Sequence, residues 1–459
     1  MEATATTTST ATKTAKPADK PGMFLEGNFA PVDREVTVGE LTVRGALPIE
    51  LSGVLMRNGP NPAGEVAAKH HWFIGDAMLH AIRIEGGRAR RYRNRWVRTP
   101  RVQQAVGLEA APRSKNDTGA GSGSITVIEH AGRVLALGEV GLPYEVDSDA
   151  NTLAQYDYAG ALRSNMTGHP KLDPVTGELF FFGYDFGPVH LRYHVADASG
   201  RLTKTIDIPK AAPTMMHDFA VTATRVVFMD FPVVFDMSMV ERGHTMPFRW
   251  DEKLGARIGV MRRDGDGSDL KWIEVPPCYV YHVFNAYDVG EQIVLDVVEH
   301  PHTFRDREDG PERLDAPPAV RWQIDPVRGE VTRTVLDTRG QEFPRIDPRR
   351  VTREHRYGYA VHNAFSSGGA GTLLKHDFKR GTSETHTFEG DRAPGEGVFV
   401  PVGAGEDEGY VLTPVYDAAR GTSEIHVVDA QDFASKACAI IELPVRIPFG
   451  FHGDFIPSH

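Results

Sequence analysis

The chain has 459 residues, 41% of them hydrophobic and 25% charged, enough for two or three ordinary domains or one large repeat fold with a sizeable core. With 51 Lys and Arg against 62 Asp and Glu, the formal net charge is -11, so nothing in the bulk charge invites nucleic acid. No apolar run approaches the roughly 20 residues of a membrane-spanning helix, and two cysteines, Cys278 and Cys438, cannot build a disulfide framework or a structural zinc site alone.

Residues 1–22 (MEATATTTSTATKTAKPADKPG) are rich in Thr and Ala and contain no apolar stretch of the secretory kind. A transit peptide is similar in composition and ranks second as a reading, because the stretch lacks Arg. A disordered tail is expected here, and, with the sparse cysteines, a cytoplasmic location. Strand signals dominate from residue 23 to 459, which reads as one folded domain. VTVGELTVRG opens the series at residue 36. The basic run Arg88 to Arg101 (RARRYRNRWVRTPR) alternates, and reads as a strand with a solvated basic side rather than a nucleic-acid face. SITVIE, RVLALGEV, ELFFFGYD, VVFMDFPVVF, QIVLDVVEH, GYVLTPVY and SEIHVVDA follow in order. Turn signals such as DPVTGE, RRDGDGSD, DPVRGE and GAGEDEG separate them. Many short strands joined by tight turns over more than 400 residues predict an all-β architecture that closes or repeats. A β-propeller with blades of roughly 40 to 50 residues fits that length.

Nineteen histidines are then sorted by context. His130, His300, His302, His376, His386, His426 and His459 have charged or polar neighbours and read as incidental, at turns or strand edges. Four others, His169 (TGHPK), His217 (MMHDF), His282 (VYHVF) and His452 (GFHGD), sit among apolar or aromatic residues beside a bend. Buried imidazoles need their nitrogens satisfied, and donation to one shared metal would satisfy all four. Their gaps of 48, 65 and 170 residues (217−169, 282−217, 452−282) suit inner strands of separate blades converging on an axis, at about one, one and three blades. Neutral imidazoles suit a divalent first-row metal, with Fe(II) fitting where oxygen chemistry is needed. The unbalanced positive charge calls for carboxylates behind the rings. Glu139 (LGEVG), Glu342 (QEFPR) and Glu396 (GEGVF) stand in unusually apolar company.

Taken together and in this order, LSGVLMRNGPNP, WFIGDAMLHAIRIEGG, LALGEVGLPYEVD, TGHPKLDPVTGELFFFGYD, MMHDFAVT, YHVFNAYD, QEFPRID, EGVFVP and the C-terminal FHGDF resemble the carotenoid cleavage oxygenase family over nearly the whole ordered length. The resemblance implies a seven-bladed β-propeller with loops forming a dome over one face. It implies Fe(II) on the axis, with His169, His217, His282 and His452 as ligands and Glu139, Glu342 and Glu396 behind them. It implies oxidative cleavage of a C=C bond by O₂ into two carbonyl products, with no catalytic residue beyond the iron centre. An apolar alkene is the expected substrate, and such a substrate favours an apolar entrance and peripheral membrane contact.

Two positions depart from the family pattern. Ala77 stands where the family's GDGM motif has its second glycine. Gly138 precedes Glu139, where family members that cleave 4-hydroxylated stilbenes or phenylpropenoids typically carry Lys. A glycine offers no ammonium to a phenolate, so a carotenoid or apocarotenoid is expected. A stilbene or phenylpropenoid (resveratrol-, isoeugenol- or vinylguaiacol-like) is the alternative.

Overall fold

A computed structural model describes residues 22–66, 70–242, 244, 246–305, 317–364 and 371–458. The expected N-terminal tail lies outside the described residues, apart from Gly22. Seven antiparallel sheets are present among those residues, together with a two-stranded hairpin, Val233–Phe235 with Phe248–Trp250. The seven sheets are the blades of a β-propeller.

Ring closure uses both chain ends. The C-terminal strand Gly453–Pro457 pairs with Gly53–Pro60 and becomes the innermost strand of blade one. Near the N-terminus, Val43–Gly45 pairs with Ala439–Glu442 and becomes the outermost strand of blade seven. The innermost strands of blades two to six are Thr126–His130, Lys171–Leu172, Ala220–Val221, Val283–Val289 and Gln341–Arg345, and Val398–Pro401 lies innermost in blade seven.

Burial explains why strand signals were so clear. Middle strands have blades packed on both faces, so their sequences are continuously apolar: Leu179–Tyr184 (LFFFGY) is buried at every position. Outer strands have one wet face and alternate, as in Leu202–Asp207 (LTKTID). Phe180, Phe182, Tyr193, Phe219 and Phe228 form part of the core between blades three and four. Each such buried apolar side chain contributes roughly 1.5–3 kcal/mol relative to exposure. The basic run forms the strand Arg88–Trp96 of blade one, with Tyr92 and Asn94 inward and Arg91 and Arg93 paired with Asp149. No helix among the described residues is long and apolar enough to cross a membrane.

Candidate metal centre

One position recurs at the head of the innermost strands. His169 precedes blade three's inner strand, His217 blade four's, His282 blade five's and His452 that of blade one. The equivalent place in blade six holds Glu342 and that in blade seven Glu396. Along the ring, the four histidines are therefore one, one and three blades apart. Radial arrangement of the blades sets the innermost strands around the axis, so these positions converge there.

The imidazoles meet there. Nitrogens of His169, His217 and His282 all lie within 4.8 Å of one another. The Nε2 atoms of His169 and His217 are 2.9 Å apart, and those of His282 and His452 are 3.1 Å apart. The His169 and His452 ring centroids are 4.7 Å apart.

Carboxylates fix the far side of three rings. His282 Nδ1 donates to Glu342 Oε2 at 2.5 Å, and His452 Nδ1 donates to Glu396 Oε1 at 2.7 Å. His217 Nδ1 stands 2.8 Å from Glu139 Oε2, a short contact bent away from ideal hydrogen-bond alignment. His169 is placed by backbone instead: its N–H donates to Thr167 Oγ1, and Gly168 sits so close to Ile125 that a Cβ there would lie 2.5 Å from the isoleucine side chain.

Those contacts decide what the cluster can hold. With Nδ1–H given to a carboxylate, Nε2 of His282 and of His452 each carries a lone pair. Two lone pairs at 3.1 Å cannot hydrogen-bond to each other; a cation shared by them turns that repulsion into attraction. The donor set thus fits a divalent first-row metal bound by neutral imidazoles. Burial, and after it the neighbouring imidazoles, hold His169 well below its ordinary pKa, which keeps it neutral. Burial likewise lowers His452 to about 4 despite Glu396. His217 shifts upward: burial opposes its charge, but Glu139, joined by Asp218, outweighs burial. Glu396 is lowered to about 2; burial pushes it up, and Arg345, His452 and Arg57 more than offset that.

Several partners were missed in the sequence. His300 is not incidental: it is buried, and its Nε2 donates to Glu342 Oε1 at 2.7 Å. Its neighbours in VVEHPHTF are polar, yet it follows strand Gln292–Val298, buried at every position after Gln292, which was the available signal. His130, His376, His386 and His426 are likewise buried, each with its own hydrogen bond. Tyr184 donates to Glu139 Oε1 at 3.0 Å, and Arg57 Nη1 is 3.5 Å from Glu396 Oε2. Phe343 has φ 56°, a left-handed conformation that costs a non-glycine residue of order 1–3 kcal/mol. That twist puts its ring 5.6 Å from both His282 and His452.

The chain crosses the cluster from one side to the other. Tyr281 and Phe451, just before their histidines, join Phe73, Trp72 and Phe343 in an aromatic layer. Rings continue outward from Tyr184 to Phe186, and from there to Phe235 and Phe248 of the hairpin. Residues after the histidines line an axial cavity of about 440 Å³. At Gly138, a Cβ would lie 3.1 Å from the Gly123 backbone nitrogen and 3.2 Å from the Val140 carbonyl oxygen, so the segment before Glu139 packs backbone to backbone. Ala77 is fully buried at the head of strand Ala77–Glu85, and Asp76 beside it accepts from Arg101 Nε at 2.7 Å and from the Ala63 N–H at 2.8 Å.

Comparison with known proteins agrees with this architecture. The family model described as RPE65, retinal pigment epithelial membrane protein, matches residues 29–457. A carotenoid cleavage oxygenase of Mycobacterium tuberculosis is 38% identical, covering 97% of this chain and 99% of its own length. The lignostilbene dioxygenase of Pseudomonas brassicacearum superposes with a TM-score of 0.85 at 27% identity, covering 97% of this chain and 100% of that one. Cobalt-substituted apocarotenoid oxygenase of Synechocystis gives 0.82 at 27% identity, with 93% and 97% coverage. The chain belongs to the carotenoid cleavage oxygenase family and is an enzyme of the dioxygenase type.

Proposed function

We propose that His169, His217, His282 and His452 hold Fe(II), and that the enzyme cleaves a C=C bond of an apocarotenoid with O₂ to give two carbonyl products. The observation that carries this reading is the facing pair of Nε2 lone pairs on His282 and His452, each fixed by a carboxylate on Nδ1. When bound, iron supplies the activation of O₂. The protein's own part is positional. Glu342 and Glu396 hold two rings in the Nδ1–H tautomer, Glu139 stands behind a third, and all three balance the cation's charge. Phe343, Tyr281, Phe73 and Phe451 cover the site with apolar rings that exclude water and suit an alkene.

Ring-lined approach to the site favours an extended apolar substrate. Phe186, Met237 and Val240 expose apolar surface near the hairpin, a patch fit for a lipid surface from which such a substrate would come. Gly138 supplies no side chain for a phenol, which favours an apocarotenoid over a hydroxystilbene. The alternative, a stilbene or phenylpropenoid substrate, draws support from the similarity to the lignostilbene dioxygenase. Product analysis decides between them: Fe(II)-loaded enzyme is incubated with β-apocarotenals, resveratrol and isoeugenol. Aldehyde products from the apocarotenals are expected, and cleavage of the phenols alone would reverse the choice.

A further inference from the structure

The axial cavity is unlike the aromatic side of the metal centre. All seven innermost strands contribute to its wall. Its inner end is formed by His169, His282 and His452, and its outer rim includes Pro174, Pro348 and Pro457, all exposed. It therefore joins solvent to the imidazoles along the propeller axis. Its volume of about 440 Å³ leaves room for on the order of ten waters.

Four carboxylates against three cations leave the wall with one net negative charge, and Arg349 is further offset by Asp347. The carboxylates are Glu129, Asp218, Asp454 and Glu396. The lining cations are engaged: Lys171 lies 2.6 Å from Asp218, Arg345 lies 3.6 Å from Asp454 and 3.8 Å from Glu396, and Arg349 is held on Asp347 at 2.8 Å. A hydrated divalent ion moving along this wall exchanges waters for oxygen ligands step by step. On the opposite side it would have to shed its shell among Trp72, Phe73, Tyr281 and Phe343, at the high cost of desolvating a charge in apolar surroundings.

We infer that the axial cavity is the path by which a divalent cation reaches and leaves the four imidazoles, separate from the aromatic side that serves the alkene. This rests on reading those imidazoles as a metal site.

The test places a removable obstacle at the rim. Pro457→Cys in a Cys438→Ser background is labelled with a bulky maleimide in the full chain, freed of metal beforehand. Co(II) uptake is followed by its visible absorption, before and after labelling of the same preparation. Uptake is expected to slow roughly ten-fold or more on labelling, with the same final stoichiometry, as loss of an access path requires. A label on Val335→Cys, on the outer strand of blade five, is expected to change nothing. Equal rates before and after labelling Pro457→Cys would overturn the path. So would slowing by a label on Ile74→Cys, beside Phe73, without slowing at Pro457→Cys. Failure of the unlabelled protein to take up Co(II) at all would instead defeat the reading of the histidines, and the path with it.

Discussion

His300 Nε2 lies 2.7 Å from Glu342 Oε1, on the same carboxylate whose other oxygen takes the His282 Nδ1–H at 2.5 Å. Glu342 is thus clamped from both sides, and its direction toward His282 depends on a residue that touches no metal. Replacing His300 by Phe removes one donor from a buried carboxylate. Iron retention in competition with a chelator is expected to fall about ten-fold, the lower end of losses for outer partners of metal ligands. His300→Gln, which still donates, should recover most of it. Wild-type retention in His300→Phe would show the clamp to be irrelevant.

The three glutamates should not respond alike. Glu139 faces the neutral Tyr184 with its second oxygen, and its side chain is 23% exposed, whereas Glu396 is fully buried beside Arg57 and near Arg345. Glu139→Gln and Glu342→Gln are expected to weaken iron binding with modest loss of stability. Glu396→Gln also strands buried guanidinium charge, with a stability loss on the order of 3 kcal/mol. Urea denaturation of the metal-free proteins checks this ranking; equal midpoints for all three variants would contradict it.

Acid should erase the Glu396 contribution. Its pKa is depressed in the folded state, to about 2 from an ordinary 4.5. A depressed carboxylate contributes stability that is fully present above about 4.5 and is lost as pH falls toward about 2. The stability gap between metal-free wild type and Glu396→Gln should therefore hold steady near neutrality and shrink in that acid window. A gap that widens with acid would mean the sign, and the ion pairing behind it, is wrong.

Much of this was legible in the sequence because both signals are strong. Middle strands are buried on both faces, so runs such as LFFFGY announce themselves. His169, His217, His282 and His452 stand out because an imidazole among apolar residues requires a reason. The blade count was less visible: blades share a pleat and a burial pattern, and side-chain identity at equivalent places varies from His to Glu. His300 was passed over because its sequence neighbours are polar while its spatial neighbours, Tyr281 and Glu342, are not adjacent in the chain. Phe343 gave no sign at all, since a left-handed phenylalanine is dictated by the bulge in its strand between Glu342 and Arg345.

The proposed preference for an apocarotenoid is tested at Gly138. Without a side chain there, kcat/KM for a β-apocarotenal is expected to exceed that for resveratrol and for isoeugenol. Packing of Gly138 against Gly123 adds a consequence: any side chain must displace the 121–124 segment or the Val140 carbonyl by a few tenths of an ångström. Gly138→Lys should then lower apocarotenal cleavage, and it can raise phenol cleavage only if that segment yields. Faster apocarotenal turnover in Gly138→Lys would refute this account of the pocket.

The metal centre itself is tested most directly by anaerobic Fe(II) titration of metal-free protein followed by iron-edge X-ray absorption. About one iron per chain is expected, with scattering from four imidazoles, three in His452→Ala, and no carboxylate coordination, as the placement of Glu139, Glu342 and Glu396 behind the rings requires. Iron that fails to bind stoichiometrically, or an imidazole count that His452→Ala leaves unchanged, would contradict it.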